Sequence, residues 1–259
     1  MSSNAIWSIY EDRGGVLWFG TYGGGLSKHT RATDQFRLYQ HNPNIPGSLS
    51  DSMVWSIHAD RSGALWIGTF NGGLNRLDPK THTFSVYRHD PDDPDSLSND
   101  DVRAILEDRA GDLWVGTSAG LDRLDRAAET FTHYQHRPGD PTSLSGTRVI
   151  VLLEDRAGHL WAGTRNEGLN RFDRETETFV RYQHDPDDPT SLSDNRVWSL
   201  YEDRSGAIWV GTLDGINVWD PGADSFVRYV HDPGDPQSVG SNQVFSFYED
   251  EAGAMWIGT

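Results

Sequence analysis

Val54-Trp-Ser-Ile-His-Ala-Asp-Arg-Ser-Gly-Ala-Leu-Trp-Ile-Gly-Thr69 reads as two short β-type runs joined by a tight turn at Arg61-Ser-Gly63. Working outward, Asn71-Gly-Gly73 is a second turn, and Leu74-Asn-Arg-Leu-Asp78 alternates apolar and polar residues as a half-buried strand does. Pro79-Lys-Thr-His82 turns the chain again and Thr83-Phe-Ser-Val-Tyr87 alternates again. A Pro- and Asp-rich connection over residues 90–98 then leads to the next unit at Val102. Four short strands with three tight turns make an antiparallel meander.

The same unit recurs. Trp-x-Gly-Thr stands at residues 18–21, 66–69, 114–117, 161–164, 209–212 and 256–259, with successive tryptophans 48, 48, 47, 48 and 47 residues apart. One meander this small cannot bury both of its faces, whereas radial stacking of copies covers each sheet with two neighbours. The expected fold is therefore an all-β propeller of four-stranded antiparallel blades, treated as a single domain over 1–259. Its units run over about residues 5–52, 53–100, 101–147, 148–195, 196–242 and a partial 243–259. Helical repeats are excluded because no stretch of ten or more residues has helical periodicity, and a parallel β-helix needs a shorter period. Five complete blades and a final half blade leave two expectations: a chain that continues past Thr259 as part of a larger array, or a partner on the open edge strand at 253–259.

Composition narrows the function. The 259 residues carry a formal net charge of −17, a field that repels phosphate backbones and anionic lipid heads, so nucleic-acid and membrane-surface partners are not expected. No apolar run is long enough to span a bilayer, and Met1-Ser-Ser-Asn4 lacks the basic and apolar regions of a signal peptide. The absence of cysteine excludes disulfides, thiolate nucleophiles and cysteine-ligated zinc. No metal or cofactor is expected.

Residues 191–212, Ser-Leu-Ser-Asp-Asn-Arg-Val-Trp-Ser-Leu-Tyr-Glu-Asp-Arg-Ser-Gly-Ala-Ile-Trp-Val-Gly-Thr, resemble the two-component regulator propeller repeat, as do Gly73–Asp78 and the loop at 184–193. The resemblance recurs in every unit. It implies seven-bladed propellers in the periplasmic sensing half of hybrid histidine kinases, with related arrays ahead of diguanylate cyclases. Signal output through downstream domains in cis, among them a membrane helix and a kinase, is likewise implied.

Positions repeated in every unit are read as architecture. The Trp of each Trp-x-Gly-Thr packs between blades. With the four strands of each unit lettered A to D in chain order, each A–B turn has Asp (12, 60, 108, 155, 203, 250) with Gly three residues later, a pair suited to turn backbone bonds and positive φ. Leu49, Leu97, Leu144 and Leu192, with Val239 as the fifth, sit in polar loops and are read as anchors into the blade seam. His41, His89, His136, His184 and His231 are one blade apart, too far to share a metal, and are read as bonding their own loops. Asp185, Asp187 and Asp188 are read as a solvated acidic loop.

Function is sought where units differ. The B–C turns and D–A loops share one end of each meander. There the residue after the first core Val or Ile is Trp7, Trp55, Arg103, Ile150, Trp198 or Phe245, and Arg148 and Arg196 precede two of those core residues. The B–C turns open with Tyr22, Phe70, Ser118, Arg165 and Leu213. Aromatics with Arg103, Arg148, Arg165 and Arg196 suit an anionic or hydroxylated ligand, and an oligosaccharide, with uronic acid groups, is the expected one. The candidate ligand-binding set is Trp7, Tyr22, Trp55, Phe70, Arg103, Arg148, Arg165, Arg196, Trp198 and Phe245. A non-catalytic, extracytoplasmic sensor region is the expected function. The alternatives are a propeller enzyme of lyase or glycosidase type and a protein-binding scaffold. Near-identical blades supply copies of a side chain instead of one unique catalytic constellation, and no His-Glu-x-x-His pattern occurs. Self-association through the open edge strand is a further expectation.

Overall fold

The computed structural model describes residues 3–259. Among these, no helix occurs, so none is long and apolar enough to cross a membrane. Every element is a short strand, and the strands form five four-stranded antiparallel sheets and one two-stranded pair. Each sheet keeps chain order from edge to edge, as propeller blades do.

The first sheet holds β1 (Ile6–Glu11), β2 (Leu17–Thr21), β3 (Gly25–Thr30) and β4 (Gln35–Tyr39). The second holds β5 (Val54–Ala59), β6 (Leu65–Thr69), β7 (Leu74–Leu77) and β8 (Phe84–Tyr87). The third holds β9 (Val102–Glu107), β10 (Leu113–Thr117), β11 (Leu121–Asp125) and β12 (Thr130–Tyr134). The fourth holds β13 (Val149–Glu154), β14 (Leu160–Thr164), β15 (Leu169–Asp173) and β16 (Thr178–Tyr182). The fifth holds β17 (Val197–Glu202), β18 (Ile208–Thr212), β19 (Gly215–Asp220) and β20 (Ser225–Tyr229), and the pair is β21 (Ser246–Glu249) with β22 (Met255–Gly258). The chain divides into two compact units, residues 1–133 and 134–259.

The seams between sheets are apolar within each unit. In the first unit, Trp18, Leu26, Tyr39 and Leu49 of one repeat pack with Val54, Leu65, Ile67, Leu77 and Phe84 of the next. Trp66, Leu74 and Leu97 pack likewise with Val102, Leu113, Val115 and Phe131. In the second unit Trp161, Leu169 and Leu192 meet Val197, Ile208, Val210 and Phe226. The seam leucines 49, 97, 144 and 192 are fully buried, while Val239 is only half-buried.

The loops that carry these leucines are tied from two sides. The Nδ1 of His41, His89, His136 and His184 lies 2.7–2.9 Å from the carbonyl oxygen of the seam leucine in its own loop. Asn75, Asn170 and Asn217 accept the amide of the following serine through Oδ1 and donate to its hydroxyl through Nδ2. Asp185 and Asp188 accept amide hydrogens of their own loop, which accounts for part of its acidity as turn chemistry.

Two sets of side-chain bonds, one within each sheet and one between sheets, were not legible in the sequence. Each turn Asp accepts a bond from the indole Nε1 of the Trp six residues later, at 2.7–3.0 Å in all six copies. Tyr87, Tyr134 and Tyr182 donate their hydroxyls to Glu129, Glu177 and Asp224 at 3.1, 2.9 and 2.7 Å. Those acceptors sit at left-handed positions of the C–D turns, with φ of 59°, 53° and 51°. Burial and the bond to the Asp224 carboxylate hold the Tyr182 phenol above its ordinary range.

Candidate functional site

The variable residues gather around a backbone irregularity. In each complete sheet the first strand takes two steps where its partner takes one. Val54 pairs Thr69 and Ser56 pairs Gly68, so Trp55 is the extra residue of a β-bulge. Trp7, Arg103, Ile150 and Trp198 occupy the same bulge in the other sheets. Beyond it, the first residue of the B–C turn donates its amide to the residue preceding the core position, as Phe70 does to Met53 and Arg165 to Arg148. A bulge re-aims one side chain and interrupts the ladder only locally, so one device places Trp in three sheets, Arg in one and Ile in one.

Beneath the bulge the packing admits no side chain on the second strand. A Cβ on Gly68 would lie 2.3 Å from Ser56 Oγ and 2.7 Å from the Val102 carbonyl oxygen. The glycine of Trp-x-Gly-Thr is therefore a seat for the strand beside it.

In the first unit five expected site residues form one cluster. The Trp7 and Trp55 rings meet edge to face with centroids 4.6 Å apart, Tyr22 lies 6.4 Å from Trp7, and Phe70 lies 6.1 Å from Trp55. The Arg103 guanidinium stands 4.4 Å over the Trp55 ring. Trp7 and Tyr22 are about half exposed, while Trp55 is half-buried.

Arg103 does not arrive as a free charge. Its Nε and one terminal nitrogen both donate to Asp101 Oδ2, at 3.0 and 2.8 Å, and Ser118 Oγ donates to the same oxygen at 2.6 Å. Both side chains of this ion pair are only 10% exposed. Asp101 Oδ1 and Trp55 Nε1 are buried with no hydrogen-bond partner among the described residues.

In the second unit Arg165 stands 5.7 Å over Trp198, and Phe245 meets Trp198 edge to face at 5.8 Å. Arg148 joins this group through its backbone bond with Arg165. Arg196 is exposed and forked onto its own Asp194 at 2.7–2.8 Å. That bond from Arg196 holds the Asp194 carboxyl below its usual range. Glu167 fills the space beside Gly146, where a Cβ would lie 2.3 Å from its Oε2, and that oxygen too has no partner among the described residues. The second repeat is arranged the other way round, with Asp51 at the loop position and Gly72 in the turn.

Asp101 and Ser118 thus bond within the first cluster, Glu167 lies in the turn that Arg165 opens, and Asp194 pairs with Arg196, although none of the four was in the expected set. The i, i+2 spacing of Asp101 with Arg103 and of Asp194 with Arg196 was the available signal. Contrary to the expectation that no Gly-x-Ser-x-Gly pattern occurs, one such string stands at residues 116–120. It spans the end of β10 and a β-turn rather than a strand-to-helix elbow, and its Ser118 hydroxyl donates to Asp101, with no imidazole bonded to it. No group of three or more His, Asp or Glu side chains among the described residues could hold a metal ion.

The profile of the two-component regulator propeller family matches residues 1–23, 48–71, 96–119, 143–166, 191–214 and 238–259, more than half of the chain. No curated protein matches the sequence. Among solved structures, the extracellular domain of the hybrid two-component system BT3049 from B. thetaiotaomicron is 25% identical over 100% of this chain and 39% of its own, with a TM-score of 0.77. The extracellular domain of the one-component system BT4673 from the same organism is 20% identical over 99% of this chain and 39% of its own, TM-score 0.67. Virginiamycin B lyase from Staphylococcus aureus is 14% identical over 98% and 77%, TM-score 0.71. The last two likenesses are of fold alone. The chain spans about two fifths of the length of the first two domains.

Proposed function

Since the chain belongs to the two-component regulator propeller family, we propose that it is the non-catalytic, ligand-sensing part of an extracytoplasmic signalling region, with output domains in cis. The observation that carries this reading is the bulge. One backbone device, repeated in each complete sheet, presents Trp in three sheets, Arg in one and Ile in one, at the end of the strands where the other expected aromatics and arginines stand. A fixed scaffold with variable side chains at one end is how binding surfaces are built.

The ligand class is an oligosaccharide. Trp7, Tyr22, Trp55 and Phe70 offer ring faces and edges of the size of a pyranose, and the surrounding polar groups suit hydroxyls. Catalysis is disfavoured because no described side chains combine an acid, a base and a nucleophile, and Ser118 is held by a carboxylate alone.

The test is a thermal-shift screen against a glycan panel, run beside an assay for glycan cleavage. Stabilisation without turnover, lost in a Trp7→Ala/Trp55→Ala chain, supports sensing. Turnover would replace it with an enzyme, and silence in both would favour a protein-binding scaffold.

Self-association belongs to the same proposal. Trp256 is 63% exposed, whereas its counterparts Trp66, Trp114 and Trp161 are buried. Sedimentation velocity should show concentration-dependent association that Trp256→Lys weakens, and a monomer at high concentration would remove this element.

A further inference from the structure

We propose that the seam between the first and second sheets holds a separate ligand site, at the end of the strands opposite the bulges, and that this site takes the guanidinium group of an arginine-like ligand. The inference goes beyond the ligand-sensing reading above and uses none of its residues.

The next seam shows what the place is shaped for. There Arg126, in the C–D turn of the third sheet, donates to Asp60 Oδ2 at 3.1 Å and stands 5.8 Å over the Trp66 ring. Its other terminal nitrogen donates to Glu107 at 2.9 Å. Asp60 Oδ2 thus takes two donors, this guanidinium and the Trp66 indole.

In the first seam both members of the Glu107–Arg126 pair are replaced. Pro79 stands two residues past Leu77, where Arg126 stands two past Leu124, and Ala59 precedes the turn Asp where the other five units have Glu. What remains is a cavity of about 130 Å³, with Asp12, Trp18, Lys28, Tyr39, Ala59 and Pro79 in its lining. Asp12 and Trp18 keep the arrangement of Asp60 and Trp66, with the indole nitrogen 3.0 Å from Oδ2. That oxygen has no second donor among the described residues, and Asp12 is only half-buried. The cavity shares Tyr39 and His82 with an adjoining groove of about 440 Å³. Ile45 lines this groove and is 56% exposed, at the loop position where Asp93, Asp140, Asp188 and Asp235 stand in the other loops. The groove therefore offers an alkyl chain an apolar way out.

Chemistry selects the guest. A guanidinium donates in its plane to a carboxylate and lies flat on an aromatic ring. A carboxylate would face Asp12. Lys28, 5.2 Å over Trp18, does not bar a cation, since Arg76 stands 5.5 Å over Trp66 and Arg126 shares that ring with it. Proline recurs at this turn position as Pro221, but there the place is taken. His159 Nδ1 lies 2.9 Å from Asp155 Oδ2, and the Trp219 ring meets Trp161 edge to face at 5.0 Å.

NMR of the tryptophan indole N–H groups in the full chain tests the site, because the Trp18 N–H bonds the carboxylate that the ligand would share. The probes are methylguanidinium, agmatine and the peptide Gly-Arg-Gly, against sodium chloride and sodium acetate at matched ionic strength. The expected result is a saturable shift of the Trp18 signal, assigned with Trp18→Phe, at roughly millimolar guanidinium probe. The Trp66 signal should stay in place, since Arg126 already fills its site. Binding of the small probes alone would make the source a free guanidine, and binding of the peptide as well would make it an arginine side chain of a partner; both support the site. Pro79→Arg should abolish the response by placing the chain's own guanidinium in the cavity. Asp12→Asn should weaken methylguanidinium by about tenfold, the effect of one hydrogen bond to a charged acceptor. If Asp12→Asn fails to fold, Pro79→Arg decides alone. Trp18 and Trp66 signals that move together, a Pro79→Arg chain that responds like the parent, or no shift with any probe would overturn the site, and each would leave the sensing proposal standing.

Discussion

Trp66 donates its indole Nε1 to Asp60 Oδ2 at 2.9 Å, with both residues buried. The same carboxylate accepts the amide of Ala64 through Oδ1, and Arg126 reaches Oδ2 at 3.1 Å. A turn residue and the largest side chain of the seam are therefore one unit. Asp60→Ala leaves a buried indole N–H unpaired and opens the turn, and the expected cost is about 3 kcal/mol. Trp66→Phe in the same chain should make the loss less than additive. Equilibrium denaturation of the four chains of this cycle measures the coupling, and additive losses would separate the two residues.

Burial of the loop leucines gives a graded expectation. Leu97 is fully buried in the seam with Trp66 and Phe131, so Leu97→Ala should cost about 2–5 kcal/mol. Val239 at the matching place is half-buried, and Val239→Ala should cost less, about 1 kcal/mol or below. Equal losses in chemical denaturation would contradict the seam-anchor role.

Gly146 and Glu167 form a size-compensated pair. Gly146→Asp alone drives a Cβ into the Glu167 side chain, whose Cδ would lie 2.6 Å away, and overpacking of that kind costs about 1–3 kcal/mol. Adding Glu167→Gly restores the arrangement of Asp51 and Gly72 and should recover most of that loss. Thermal unfolding of the single and double variants decides it; a double variant no better than the single would break the pairing.

Two histidines should titrate on opposite sides of 6.5. His133 is raised, first by its bond to Asp122, so its contribution is present below 6.5 and is lost as pH climbs through its folded value. His58 is lowered, first by burial, against the pull of Glu107 and Asp60 and with the push of Arg126. Its neutral form accepts the Glu107 amide at 3.2 Å, so its contribution is present above 6.5 and is lost as pH falls through its folded value. Proton NMR titration of the imidazole signals, assigned with His58→Tyr and His133→Gln, checks both directions. Identical titrations near 6.5 would contradict both environments.

The chain's own order of residues determined the blades. The Trp spacing, the alternation in strands such as Leu74–Leu77 and the glycine-bearing turns are local patterns, each readable along one strand or turn without its neighbours. The seam leucines and the loop histidines were legible for the same reason, since each histidine bonds a carbonyl only eight residues away. What the site does with its side chains was decided by tertiary structure. A bulge is a relation between two strands, and nothing in Val54-Trp55-Ser56 announces that Trp55 has no place in the ladder. The sequence offered Arg103 as a free cation, whereas the approach of the B–C turn brings Ser118 onto Asp101 and fixes both guanidinium bonds on one oxygen. Net charge and unmet hydrogen bonds at a buried site depend on which groups meet after folding, and that pairing is written in no single stretch of the chain.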